Sequence, residues 1–408
     1  MNHGGDEAES DPFNAFVGPW HGPEAGAATG PFAGVLAGVP VAIKDCFYAA
    51  DRTPTMGSRL HPGARPGTAT VIERVVAAGA RIVGFTNLHE WAVGGTSAIS
   101  ATGPIRNPRD PSLIAGGSSG GSAVAVATGA ARAAIGTDAG GSVRIPAACC
   151  GVVGIKPTYG VVPMTGCVAD GGPTDHVGAL AGNVADAALL LEVMAGRRFE
   201  ERAPASMRIG IARGPLFDDV QEPVGAAMAA TTEVLANLVT IGDAFVDDMV
   251  ELGRMNGRLF LADTAARLGD DLDRRGGDLQ PDTFALLDRA RRFSARELGA
   301  ARDARDEARA RWMSMFEIVD VLVTPTLPAL PPPIERLALE LPSGIVEPNR
   351  AFGSLNGPMN LLGLPALSLP VAEAGGLTVN ATFTAAPGND GWVIALGRAF
   401  EEARGRTT

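Results

Sequence analysis

The sequence predicts an α/β protein, and three observations carry that prediction. Short apolar runs of strand length alternate along the chain with stretches of helical periodicity. No segment repeats another, and no stretch has the composition of a flexible interdomain linker. Hydrophobic residues make up 46% and charged residues 19% of 408 positions, enough to bury a large core. One domain with peripheral helices, over residues 13–408, is the expected organisation.

The elements follow in chain order. The start, "MNHGGDEAESDPFNAF", is acidic and Gly-rich where a secretory signal would be basic and then apolar. Residues 1–12 are therefore read as a disordered terminus of a cytoplasmic protein. In "TATVIERVVAAGA" Val71, Val75 and Val76 fall on one helical face, and "RIVGFTNL" follows as a buried strand. "GSAVAVATGAA" is an Ala-rich buried helix, and "RAAIGTDAGG" a short strand running into a glycine turn. "MRIGIAR" and "VDVLVTPTL" are strands, and "SARELGAARDARDEARARWMSMF" is a long helix with a solvated charged face. "PTLPALPPP" reads as a Pro-rich surface segment, and "DGWVIALGRAFEEAR" as the last helix.

Charge and cysteine usage exclude several function classes. A net charge of -11 argues against direct nucleic-acid binding, since clustered basic residues supply most of that affinity. No apolar window reaches the ~18 residues of a membrane span. The expected partner is a small molecule, with a homodimer as an allowed assembly. Cys46, Cys149, Cys150 and Cys167 show neither a secreted disulfide context nor the spacing of metal ligands. They are read as buried thiols, with no metal and no cofactor.

Lysine is scarce: of 34 Lys plus Arg, only Lys44 and Lys156 are lysine. Arginine stays protonated at any accessible pH, whereas a buried lysine can lose its proton, so a chain rich in arginine can keep lysine where deprotonation matters. A buried ion pair of Lys44 with Asp45 or another carboxylate is the competing structural reading.

Both lysines flank two Ser/Gly clusters. "GGSSGG" fits the Gly-x-Ser-x-Gly nucleophile elbow in two registers, on Ser118 or Ser119, but that mechanism needs an acid and then a histidine downstream. His176 is the only histidine beyond the cluster and follows it closely. A phosphate-binding loop fails as well, because the chain has no Gly-Lys pair. The second cluster, "IGTDAGGSVRIPAACCG", suits a nucleophile better. It sets Ser142 after a strand and three small residues, Ala139, Gly140 and Gly141, whose successive N–H groups can converge on a developing oxyanion. A tight strand-to-helix turn without catalytic meaning is the alternative.

"GVPVAIKD", "GGSSGGSA" and "GTDAGGSVRIPAACCGVVGIKPTYG" together resemble the successive signatures of the amidase signature family of Ser-Ser-Lys hydrolases. The likeness continues through "AGARIVGFTNLHEWAVG", "NPRDP", "TDHVGALAGNVADAALLLEVMAG", "FEIVDVLVTPTLP" and "NLLGLPALSLP", with a signature core at about residues 36–196. The resemblance implies a central mixed, twisted β-sheet covered by helices on both faces. It also implies that Ser142 is the nucleophile, Ser118 a bridging serine after a cis peptide, and Lys44 the base. Neutral Lys44 would take a proton through Ser118 from Ser142, and an acyl-enzyme would form and then be hydrolysed. Backbone amides of Ala139, Gly140 and Gly141 would form the oxyanion hole. Asp138 and Arg144 would brace that loop, while Ser119 and Ser122 would support the turn and helix start. Trp91, Ala92, Val93 and Met164 align with regions that line the acyl pocket, and His89 and His176 are read as structural or pocket-rim residues. A structural ion pair is the reading for Lys156.

Two functions are consistent with the likeness. The first is a free-standing amidohydrolase acting on a small carboxamide. The alternative is the ammonia-supplying component of a glutamyl-tRNA amidotransferase, its A subunit, which frees ammonia from glutamine. Such subunits carry a Gly/Tyr-rich stretch before the long helix, where this chain has "LLDRARRFSARELGAARDARDEA", and that difference favours the free-standing enzyme. The stretch before Lys44 is also shorter than is usual in the family.

Overall fold

A computed structural model of the chain describes residues 11–19, 29–50 and 52–405. Its strands are β1 (Phe16–Gly18), β2 (Pro40–Lys44), β3 (Arg81–Thr86), β4 (Ala133–Asp138), β5 (Val153–Lys156), β6 (His176–Ala181) and β7 (Arg208–Arg213). They continue with β8 (Thr240–Phe245), β9 (Val321–Pro325), β10 (Leu339–Leu341), β11 (Gly344–Val346), β12 (Ala366–Ala374) and β13 (Leu377–Ala385). Eleven of them form one sheet in the order β1-β3-β2-β4-β6-β5-β12-β13-β9-β7-β8, and β10 pairs with β11 apart from it. The sheet is mixed: β2 runs parallel to β3 and β4, while β6 is antiparallel to β4 and β5. The expected α/β architecture, a large mixed sheet with helices packed on it, is what forms.

The central strands are buried along their length, because helices cover the sheet. Strands β4, β6 and β9 have no exposed position. That explains why "AAIGTD" and "VLVTP" read as continuous apolar runs and show no alternation. Register then places the chemistry. Lys44 closes β2 opposite Thr86 of β3, and Ile43 lies opposite Ile135 of β4, so the C-terminal ends of the parallel strands β2 and β4 meet at one edge of the core. Asp138, the last residue of β4, faces His176 across the antiparallel pair.

Helices form where their spacing and caps require. Helix Ala295–Ile318 begins with a capping box, in which Ser294 and Glu297 satisfy each other's backbone N–H. It buries only Ala301, Ala308 and Trp312, so its charged face is solvated as expected. Helices Thr70–Ala77, Gly120–Ala127 and Asp390–Gly405 fall where the sequence indicates. The Pro-rich segment 325–333 is a correction. Thr326, Leu327 and Ala329 are buried, and Leu327 and Ala329 pack with Ile114, Ile145 and Phe352. Proline has no N–H to satisfy, which makes such a run cheaper to bury, and the Pro332 carbonyl accepts from Ile114 N–H at 3.1 Å. Residues 1–10 of the stretch read as disordered lie outside the described residues; Asp11 caps the backbone of Phe13 and Phe16. Among the described residues, no helix is long and apolar enough to cross a membrane.

Candidate active site

Lys44 ends a buried strand with its side chain fully enclosed. Its Nζ hydrogen-bonds to Ser118 Oγ at 2.7 Å and Thr137 Oγ1 at 2.8 Å, and no carboxylate pairs with it among the described residues. The alternative of a Lys44–Asp45 ion pair does not form, because Asp45 is taken by Arg52 at 2.6 Å and by Thr55. Burial holds the Lys44 amine below its ordinary pKa, against the opposing pull of Cys46, Cys167, Asp138 and Asp175.

Ser118 follows a cis Gly117–Ser118 peptide bond. Ser142 sits two residues before helix Arg144–Cys150 and opens into the same enclosed chamber as Ser118. No hydrogen bond joins the two hydroxyls among the described residues; backbone Ser119 N–H to Ser142 O, at 3.1 Å, ties the loops together. Ser119 Oγ bonds Thr137 O at 3.1 Å, and Ser122 Oγ bonds Ile135 O at 3.1 Å and Thr86 at 2.8 Å. Both serines are spent on holding helix Gly120–Ala127 against β4.

Around Ser142 the loop is fixed by an enclosed polar knot. Asp138 pairs with Arg144 through two contacts of 3.0 and 3.1 Å, and both side chains are fully buried. The same carboxylate accepts from Gly141 N–H at 2.7 Å and Val143 N–H at 3.1 Å, and Asn360 bonds both partners. Burial disfavours the carboxylate, but Arg144, Lys156 and Asn360 outweigh it and hold Asp138 well below the usual carboxylate range. One expectation changes here: the Gly141 N–H is engaged by Asp138 and so is not free for a substrate oxygen. The N–H groups of Ala139, Gly140 and Ser142 have no partner among the described residues. Gly141 has φ of 119°, a backbone conformation that favours glycine.

Two cavities meet at Ser142. The smaller, about 20 Å³, is bounded by Ser118, Thr137, Cys46, Cys167, Asp175 and Arg267 among others. The larger, about 740 Å³, opens over Ala139, Gly140, Asn256, Phe260 and Phe352. Trp91 lines the first, Val93 the second and Ala92 both. Met164 lines neither; it packs against the core beside them. His89 borders the larger cavity, where burial and the Lys44 charge push its pKa down to about 3. His176 is buried behind the loop, its Nδ1–H donating to Thr174 O at 2.8 Å. The ion pair expected for Lys156 does not form among the described residues. Its Nζ donates to the carbonyls of Pro157 and Leu364, and burial with nearby Arg144 lowers its pKa to about 7.

Several site residues escape sequence reasoning. Thr137 and Asn360 stand inside stretches that carry the family likeness but have no chemistry of their own to single them out, and Asn256 lies outside every such stretch. Asp175 and Arg267 meet at 3.8 Å on the chamber wall, where burial raises the Asp175 pKa to about 7. Among the described residues, no cluster of three His, Cys, Asp or Glu could hold a metal ion, and the four cysteines are free and buried.

Residues 23–394 match a family model described as Amidase. The chain is 37% identical to the A subunit of the glutamyl-tRNA(Gln) amidotransferase of Natronomonas pharaonis, over 83% of this chain and 89% of the relative. It is 33% identical to the same-named protein of Halobacterium salinarum, over 92% and 97%. Among solved structures, a protein described as an amidase superposes with a TM-score of 0.86 at 34% identity, covering 91% of this chain and 85% of that one. The corresponding glutamyl-tRNA(Gln) amidotransferase protein of Thermotoga maritima superposes at 0.80 with 28% identity, over 96% and 88%. These names correct the expectation of a small-molecule amide as sole partner, with nucleic acid and membrane excluded and a homodimer allowed. The curated relatives are subunits by name, and proteins so named have protein partners. Net charge and composition describe the average surface and do not register a docking face.

Proposed function

The chain belongs to the amidase family, and from that premise we propose that it hydrolyses a carboxamide through a Ser142 acyl-enzyme, as an ammonia-releasing subunit that takes glutamine. The observation that carries the chemistry is Lys44: fully buried, without a carboxylate partner among the described residues, and bonded to Ser118. As the neutral amine, Lys44 accepts the Ser118 proton while Ser118 accepts that of Ser142. Ser142 Oγ then attacks the amide carbon. The oxygen gains charge against the free N–H groups of Ala139, Gly140 and Ser142. The proton returns through Ser118 to the leaving nitrogen, ammonia departs, and water completes the cycle by the same relay. Asp138 and Arg144 hold the loop in place throughout. A cytoplasmic location belongs to the same reading, supported by four free thiols.

The subunit reading is supported by the names and identities of the curated relatives. A second reading, a free-standing amidase, draws support from residues 286–308, which have no Gly/Tyr-rich stretch, and from the 34% identical amidase structure. An ammonia-release assay over glutamine, asparagine, propionamide and benzamide separates them. Release from glutamine that vanishes in Ser142→Ala supports the first reading, release from benzamide with glutamine untouched supports the second, and turnover surviving Ser142→Ala contradicts both.

A further inference from the structure

Helix Met249–Leu268 lies outside every motif of the sequence, yet it delivers Asn256 to the loop that carries Ser142. Asn256 is 3% exposed. Its Nδ2 donates to the Ala139 carbonyl at 2.8 Å, and its Oδ1 is buried without a partner among the described residues. Leaving a buried acceptor unpaired is costly, so the fold keeps an asparagine here for its donor half. A trans peptide sets N–H opposite C=O. With the Ala139 carbonyl turned to Asn256, the Gly140 N–H points away from that side chain.

The contact is tightly supported. A Cβ on Gly140 would come within 3.2 Å of Asn256 Nδ2. A Cβ on Gly357 would lie 3.2 Å from Gly253 Cα and 3.3 Å from Asn256 Cβ. Helix Pro348–Leu361 thus presses against Met249–Leu268 at the level of Asn256, and the asparagine has little freedom to retreat.

We propose that Asn256 is a positioning residue for acyl transfer: by gripping the Ala139 carbonyl it locks the Ala139–Gly140 peptide with its N–H set to receive the developing oxyanion. Asn256 itself touches no reacting atom. The inference rests on Ser142 being the nucleophile, and its effect belongs to the bond-forming step rather than to binding.

The test is the labelling of the full chain by an alkyl fluorophosphonate, with the inactivation rate constant at saturation, kinact, resolved from the half-saturating concentration, KI. Asn256→Leu, which cannot donate, should lower kinact about 10- to 100-fold, less than the full loss of an oxyanion donor, and leave KI within about twofold. Asn256→Asp should label slowly at neutral pH and recover toward wild type as the pH falls and its carboxyl regains a proton to donate. Asn256→Leu should show no such recovery. If Asn256→Leu does not fold, as read by circular dichroism, the near-isosteric Asn256→Asp and its pH profile carry the test. Wild-type kinact in Asn256→Leu, a change confined to KI, or a pH-independent ratio of Asn256→Asp to wild type would each overturn the proposal. Failure of the wild-type chain to label at Ser142 would instead overturn the nucleophile on which it rests.

Discussion

Lys44 and Lys156 are both fully buried, yet their surroundings assign them different work. Lys44 meets two hydroxyls, one of them Ser118, whereas Lys156 meets two backbone carbonyls that can only accept. Burial lowers the Lys44 pKa, so its neutral, proton-accepting fraction grows as the pH rises, and the acid limb of the rate profile should rise with it. Lys44→Arg stays protonated at any accessible pH and cannot serve as the proton acceptor. We expect it to cut kcat/KM by about 10²- to 10⁴-fold, close to Lys44→Ala; substantial activity in a folded Lys44→Arg protein would contradict proton transfer at this position. Lys156 gives a stability prediction. Its folded pKa, about 7, lies below the ordinary 10.5, so between those values the unfolded chain binds a proton that the folded chain lacks. That group therefore adds stability as the pH rises through the window, and Lys156→Met removes the increment. The Tm of Lys156→Met relative to wild type should fall from pH 7 to pH 10, and a constant difference would show that Lys156 stays charged in the folded state. At this scale the sequence was informative where a residue type was scarce, as with lysine. Asn256 belongs to a common type whose role comes from tertiary contact alone, and Thr137 and Asn360, though inside quoted stretches, show their partners only in the fold.

Between β4 and helix Arg144–Cys150 runs a turn whose geometry depends on the Asp138–Arg144 pair and on Asn360 from helix Pro348–Leu361. Removing one partner strands a buried charge. Arg144→Met should therefore lower stability by about 3–5 kcal/mol, measured by urea unfolding. An apolar double replacement often rescues a buried pair, but here it should not. Asp138 also accepts from Gly141 and Val143, and Asp138→Leu with Arg144→Met leaves both N–H groups without an acceptor, at about 1–3 kcal/mol each. A double variant as stable as wild type would show that the carboxylate is dispensable to the turn. Elements with a clean period or an apolar run, such as Thr70–Ala77, β3 and β4, were legible in the sequence. Helix Met249–Leu268 was not, because Gly253 and Gly257 read as breakers and its buried positions include Asn256 and Thr264. The Pro-rich segment misled for a related reason. Its composition is that of a surface turn, while its burial is decided by Ile114 and Ile145, far away in sequence.

Across the whole molecule, β2 and β4 bring Lys44 and the Ser142 loop to one end of the sheet, and the loop carrying Ser118 closes between them. The family was legible because its signatures are contiguous stretches of sequence. That the curated relatives are named subunits left no such trace, because net charge does not register a docking face. Consistent with the absence of a ligand cluster among the described residues, exhaustive chelation should leave the hydrolysis rate unchanged, and loss of activity restored by zinc would contradict a purely Ser-Ser-Lys mechanism. In the proposed mechanism Ser142, and neither serine of the "GGSSGG" turn, forms the covalent bond. Peptide mapping by mass spectrometry of the fluorophosphonate-labelled wild-type chain measures this directly. A single adduct on Ser142 is expected, lost in Ser142→Ala and strongly slowed in Lys44→Ala, whereas an adduct on Ser118 or Ser119 of the wild-type protein would rule out Ser142 as the nucleophile.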